Sequence, residues 1–143
     1  MHLNNKIFFS IILALWGGAL SCMAQGWPEN YGGVMLQGFY WDSFTASKWT
    51  TMTKQADELS KYFSLIWVPQ SGNCDGKSMG YNPKYYFDQN SSFGTEKDLR
   101  AMIAAYKERG TGMIADVVVN HRSNVSNWVA FPAETYRGIT YQM

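Results

Sequence analysis

Cysteine is nearly absent from this chain. Its 143 residues hold two, Cys22 and Cys74, together with two histidines, His2 and His121. That count excludes a disulfide framework, and no Cys/His cluster has the spacing of a zinc site. Charge is scarce as well. Asp, Glu, Lys and Arg make up 16% of the residues and sum to a formal +1. No basic run offers a nucleic-acid surface, and no acidic tail is present. Charge this thin fits a surface that meets a neutral ligand, and it fits a well-packed aromatic core equally well. A glycine-rich phosphate loop is missing too. The segment after the first strand candidate is Gln37-Gly38-Phe39-Tyr40-Trp41-Asp42, which argues against a dinucleotide-binding fold.

Long apolar runs are limited to residues 7–20, and fourteen residues fall short of the about 20 needed to cross a bilayer. Lys6 precedes that run, and Cys22-Met23-Ala24 follows it with small residues at the positions a signal peptidase reads. Residues 1–24 are therefore expected to be a signal peptide cleaved before Gln25, with a secreted or periplasmic product. A buried core helix is the alternative. Cys22 could instead carry a lipid anchor, although Ala19-Leu20-Ser21 is a poor lipobox. Cys74 then stands alone in a Gly/Asp/Lys-rich loop, and is expected to be unreactive.

What the chain does hold is 46% hydrophobic and 16% aromatic residues, enough for one packed core. Residues 34–39 form the first strand candidate. Ser47 is placed to cap a helix starting near Lys48, whose buried face is Trp49, Met52, Ala56, Leu59 and Phe63. Leu65-Ile66-Trp67-Val68, ended by Pro69, predicts a short strand buried on both faces, as in a parallel sheet. Residues 70–94 show no period. A loop of that length is functional or disordered, and Tyr81, Tyr85, Tyr86, Phe87 and Phe93 argue against disorder. Thr95 and Asp98 form a capping-box pattern for a helix ending near Arg109, with Leu99, Met102, Ile103 and Tyr106 inward and Gly110 at its C-terminal stop. A last strand follows in Gly112-Met113-Ile114-Ala115-Asp116-Val117-Val118-Val119-Asn120-His121. Strands alternating with amphipathic helices indicate an α/β fold of parallel βαβ units, as a doubly wound sheet or a barrel. Aromatic and polar residues gather at the C-terminal strand ends, the rim where barrel active sites lie.

The last strand carries the chemistry. A carboxylate at Asp116 inside a buried strand requires a partner, expected to be a cation. Asn120 offers a carbonyl oxygen that a hard cation such as calcium accepts. His121 offers a neutral donor to a hydroxyl group. The alternatives are a structural ion pair, a turn residue and a surface histidine. Tyr81, after Gly80, could present its ring to the apolar face of a sugar, or could simply pack down on the fold.

Asp116-Val117-Val118-Val119-Asn120-His121 resembles the first conserved region of the α-amylase family of glycoside hydrolases. Residues 34–39 with Trp41, Ile66-Trp67-Val68-Pro69, Gly80-Tyr81 and Phe93-Gly94-Thr95 match the same family in order and spacing, over about residues 33–124. Thr111-Gly112 departs, where relatives usually have an apolar residue and a lysine.

The resemblance implies a (β/α)8 TIM barrel with a small calcium-dependent domain inserted after the third strand. Residues 25–121 would be the N-terminal part of the barrel and 122–143 the start of the insert. It further implies that Tyr81 and His121 bind the sugar in the cleaved subsite, that Asp116 organises the active-site floor, and that Asn120 ligates Ca2+. The implied reaction is retaining hydrolysis of α-1,4-glucosidic bonds in starch or malto-oligosaccharides, by a protein that is monomeric when complete.

That reaction needs a nucleophile and an acid about 5 Å apart. In relatives these lie on later strands, and Asp75, Asp88 and Glu134 do not match their motifs. A barrel of this type needs roughly 250 residues. The sequence is therefore expected to be an N-terminal piece, inactive alone. The alternatives are a starch-binding product without catalysis or another member of the superfamily, such as a glucanotransferase.

Overall fold

The computed structural model describes residues 31–74, 77–123, 125 and 131–142. The chain divides into two compact units, 1–32 and 33–143, and the architecture below belongs to the second. The expected signal peptide and Cys22 lie outside the described residues.

Three short parallel strands form the frame: β1 (Met35–Gln37), β2 (Leu65–Val68) and β3 (Gly112–Ala115). They pair in sequence order with β2 central, so that Leu36 faces Ile66 and Ile66 faces Met113. Parallel pairing puts the C-terminal ends of all three strands on one side. The chain leaves that side three times, after Gln37, Val68 and Ala115. Any site built from these connections must form at that rim.

Helix α1 (Trp49–Leu59) follows β1, and α2 (Glu96–Glu108) precedes β3. The capping box of α2 forms as the sequence predicts: Asp98 N–H donates to Thr95 Oγ1 at 3.2 Å, and Thr95 N–H donates to Asp98 Oδ2 at 3.0 Å. The hydrogen bonds from Thr95 hold the Asp98 carboxyl below its usual range. Gly110 sits at φ +75°, the left-handed conformation that stops a helix.

The cap expected on α1 does not form. Lys48, not Ser47, is the N-cap, and its side chain makes no capping bond. A tertiary contact replaces it, since the Trp49 N–H donates to Phe93 O at 2.9 Å. One free donor of the first turn is thus satisfied by the chain just before α2.

The core lies between the helices and the sheet. Trp49, Met52 and Ala56 of α1 meet Leu99, Met102 and Tyr106 of α2, over Ile66 and Val68 of β2. Trp49 stacks on Phe93 with centroids 4.9 Å apart. Ile103, expected inward, is exposed, because the stripe Leu99, Met102 and Tyr106 already fills the contact with α1. Nor is β2 buried on both faces. Ile66 and Val68 are buried, whereas Leu65 and Trp67 are only half-covered. Their face points away from the helices, and Trp67 is met there edge-on by Phe39 at 5.2 Å. Thr111, the residue that departs from the family pattern, is buried and donates its hydroxyl to Phe63 O at 3.1 Å. Two further strands, β4 (Glu134–Tyr136) and β5 (Ile139–Tyr141), form an antiparallel hairpin.

Inside the core, the Tyr106 hydroxyl donates to Met52 O at 2.9 Å and ties the two helices together. Substitution Tyr106→Phe removes that bond, while Met52 O keeps its intrahelical donor. It should destabilise the fold by about 0.5–1.5 kcal/mol, read as a lower urea midpoint with an unchanged slope.

Candidate active-site rim

The loop from β2 to α2 reaches the rim through a tight backbone approach. Gly80 has φ +92°, and a Cβ there would stand 2.5 Å from Gln70 O. Only glycine fits both restrictions. The next residue, Tyr81, is thereby fixed over the end of β3, where three contacts hold it. Its hydroxyl donates to Asp116 Oδ2 at 3.1 Å, its carbonyl accepts from His121 Nε2 at 2.8 Å, and its ring lies parallel to Trp41 with centroids 6.2 Å apart. Because a carbonyl can only accept, the His121 tautomer is the one protonated on Nε2. The ring therefore locks the loop to the strand end.

Strand β3 ends earlier than the sequence pattern predicts. Asp116 is the first residue past it, half-buried, although its N–H still donates to Val68 O at 3.2 Å. Its partner is the Tyr81 phenol, where the sequence pattern led us to expect a cation. Beyond it, Val117 and Val119 are 66% and 72% exposed while Val118 is half-covered. The alternation of a strand persists without a ladder on that side. Asn120 is exposed, at the same rim.

The Tyr81 phenol is pushed up to about 12, chiefly by burial and then by its hydrogen bond to Asp116 and that carboxylate's charge. It is therefore a hydrogen-bond donor at neutral pH and not a proton carrier. Beside Tyr81 and Trp41 opens a cleft of about 370 Å³, lined also by Asp42, Lys77 and Asn82. Trp41 is 71% exposed, so its ring is open to a ligand. The paired rings give an apolar wall, and the polar side chains give donors and acceptors, which is the composition of a small-ligand site.

A larger cleft of about 430 Å³ lies between residues 85–88 and the hairpin. Its carboxylates are already engaged. Asp88 accepts from Asn73 and Asn90, Glu96 pairs with Arg100, and Glu134 accepts from the backbone of Tyr86 and Phe87. Burial works to raise the Asp88 carboxyl, but the hydrogen bonds from Asn73 and Asn90 outweigh it and hold the group below its usual range.

The sequence reading missed the polar cluster under this cleft. Arg122 and Glu134 are 3% and 6% exposed. Arg122 donates from Nη2 and Nε to Lys84 O at 2.6 and 3.1 Å and from Nη1 to Pro132 O at 3.4 Å. No periodic signal marks either residue; the one clue is that Arg122 directly follows His121. Cys74 is buried, with its sulfur 3.2 Å from Ser78 Oγ.

Two outcomes check this geometry. Gly80→Ala combines strain at positive φ with a backbone clash, and should cost about 1–3 kcal/mol in thermal unfolding while altering Trp41 fluorescence. On alkaline titration, Tyr81 should ionise near 12 instead of 10.0. A phenol whose folded value is raised contributes stability that is complete below pH 10 and is lost as pH rises through about 12. Tyr106 is raised to about 12 by burial as well. Ultraviolet difference absorbance should therefore show late-ionising tyrosines, one fewer in Tyr81→Phe.

Known proteins resemble this chain in sequence and fold. The family model described as Alpha amylase, catalytic domain, matches residues 35–136. Alpha-amylase 3, chloroplastic, of Arabidopsis thaliana is 31% identical over 91 residues, which cover 62% of this chain and 10% of that protein. Probable alpha-amylase 2 of the same plant is 26% identical over 108 residues, covering 75% of this chain and 26% of the relative. The chain thus spans about a tenth to a quarter of these relatives' length. Among solved structures, a MutB mutant in complex with glucose superposes with a TM-score of 0.56 at 24% identity, over 69% of this chain and 19% of that one. Eubacterium rectale Amy13B superposes with a TM-score of 0.51 at 22% identity, over 64% and 18%. At such identities the likeness speaks to the fold, in which the three parallel strands and two helices are part of a (β/α)8 barrel. With the family model matched from β1 through β4, the chain belongs to the alpha-amylase catalytic-domain family.

Proposed function

We propose that the complete protein is an α-amylase-type glycoside hydrolase acting on α-1,4-glucans, and that this chain supplies part of its sugar-binding rim. The observation that carries this reading is the three-way hold on Tyr81 by Asp116, His121 and Trp41. A sugar presents an apolar C–H face and a hydroxyl periphery. A rigid tyrosine ring suits the first, and the polar groups around the cleft suit the second. Within this division of labour Tyr81 is the platform, Asp116 fixes its tilt through the phenol, and His121 fixes its backbone while lining the rim. None of the three is arranged for proton transfer. The phenol stays protonated, and the Asp116 oxygen that it meets is occupied by that hydrogen bond. Retaining hydrolysis would rest on a nucleophile and an acid about 5 Å apart, supplied by other segments of the complete protein.

For calcium, we propose Asn120 as one ligand among several. Its exposed carboxamide offers the oxygen donor that this ion accepts. Among the described residues no group of three His, Cys, Asp or Glu stands close enough to hold a metal. Asn120 would then share the ion with backbone carbonyls, water or further side chains, the other oxygen donors that calcium takes. Export follows as a proposal from residues 1–24. No helix among the described residues is long and apolar enough to cross a membrane.

Binding and catalysis separate experimentally. Titration of the 143-residue chain with maltoheptaose, followed by tryptophan fluorescence, should show saturable binding. Tyr81→Ala should weaken it roughly tenfold or more, the scale of lost aromatic stacking plus a hydrogen bond. Reducing sugar should not be released from soluble starch by this chain, and should be released by the protein extended through its downstream reading frame. Release by the chain alone would refute the assignment of the catalytic carboxylates elsewhere. Retardation in amylopectin gels with no hydrolysis by the extended protein would favour a starch-binding product instead.

A further inference from the structure

Outside the rim, one buried polar cluster remains without a role, and it touches the segment that follows Tyr81 and the one that carries His121. Glu134, at the start of the hairpin, accepts the N–H of Tyr86 on Oε2 at 2.9 Å and that of Phe87 on Oε1 at 2.7 Å. Arg122 stands 3.7 Å from the same carboxylate, beyond hydrogen-bond distance, and its guanidinium lies 5.0 Å from the centre of the Tyr86 ring. The Tyr86 hydroxyl then reaches the strand end, its single proton shared between His121 O at 3.2 Å and Val119 O at 3.3 Å. Alongside, the Ser123 N–H donates to Pro83 O at 2.8 Å. Residues 83–87, which follow Tyr81, and residues 119–123, which carry His121, are therefore stitched together by groups on the hairpin and on Arg122.

We propose that Glu134, Arg122 and Tyr86 are positioning residues that set the His121 ring against the Tyr81 backbone, so that the hairpin segment tunes sugar binding at a rim it does not line. The part of the proposal that concerns binding rests on the sugar-binding reading above; the part that concerns His121 does not. Glu134 acts through two backbone amides, one on each oxygen. A glutamine there keeps the shape but presents an NH2 to one of those amides, and so releases that side of the loop. Tyr86→Phe is the milder change. It keeps the ring under Arg122 and removes only the hydroxyl that bridges Val119 and His121.

The test compares the whole chain with Glu134→Gln and Tyr86→Phe by two readouts. The first needs no ligand: nitrogen NMR of the His121 imidazole reports whether Nε2 keeps its proton and its slow exchange. The proposal expects loss of Nε2–H protection in both variants, and in Tyr86→Phe without a shift of the thermal midpoint. An unchanged His121 signal in folded Tyr86→Phe would overturn it. The second readout is maltoheptaose affinity, expected to fall roughly fivefold to tenfold in Tyr86→Phe, the scale of one mispositioned polar contact. A purely structural role would lower the melting point and leave both the His121 signal and the affinity of the folded fraction unchanged. That outcome, too, would overturn the proposal. If the parent chain binds no maltoheptaose while His121 still responds to Tyr86→Phe, the sugar reading fails and the positioning role stands. If Glu134→Gln does not fold, Tyr86→Phe alone decides.

Discussion

The hydrogen bond from His121 Nε2 to the Tyr81 carbonyl, closed by the Tyr81 hydroxyl on Asp116, is the constraint on which the rim depends. Parallel strands cannot be joined by tight hairpins, so β2 and β3 are separated by a connection that runs from Pro69 to Thr111. Helix α2 accounts for part of it. The described residues of the remainder, 69–74 and 77–95, have no ladder of their own beyond two isolated bridges. Their backbone groups must find other partners: several pair within the loop, and the carbonyls of Tyr81, Pro83 and Lys84 are met by His121, Ser123 and Arg122. Two contacts to one residue, at its carbonyl and at its phenol, orient Tyr81 in a way that neither would alone. Each is worth about 1 kcal/mol net, so the tyrosine owes its placement to their geometry more than to their strength.

Local signals were legible in the sequence and long-range ones were not. The Thr95–Asp98 box, the strand from Leu65 to Val68 and the stripe Leu99, Met102, Tyr106 are set by spacing along the chain and formed where the pattern put them, although Ile103 of the expected stripe is exposed and the strand is buried on one face only. The cap of α1 was misplaced because a backbone carbonyl of Phe93, far along the chain, took the part of a Ser47 hydroxyl. The partner of Asp116 was misjudged for the same reason. A carboxylate in an apolar run demands a hydrogen bond or a charge, and the pattern does not distinguish them. Tyr81, Asp116 and His121 stood out as candidates from the residues themselves and took their expected roles from the family resemblance, and the fold brings Tyr81 within hydrogen-bond reach of both the others. Asn120 shares the rim by chain continuity alone.

The open faces of the sheet follow the same logic. Helices α1 and α2 cover one face, leaving Leu65, Trp67 and Phe39 half-covered on the other. In a barrel that second face points inward and is filled by side chains from the remaining strands. Val117 and Val119 carry on the parity of Met113 and Ala115 past the end of β3, so their exposure belongs to the strand end and not to that second face. Their aliphatic side chains are large for a solvated loop, and a strand edge of this kind favours pairing with another chain.

Arg122 and Glu134 show how little of a buried charge pair needs to be an ion pair. Their 3.7 Å separation makes the contact electrostatic only, and buried pairs often cost as much in desolvation as they return. What offsets that cost is the backbone. The carboxylate receives two amides, and the guanidinium reaches the carbonyls of Lys84 and Pro132. Removing either charge strands the other in the interior, at about 3–5 kcal/mol. Replacing both with apolar groups would restore the charge balance but abandon those amides and carbonyls. The pair is thus best understood as a means of ending backbone segments inside the fold. The segments that it ends lead directly to Tyr81 and His121, so the precision of the rim is inherited from a cluster that never touches it.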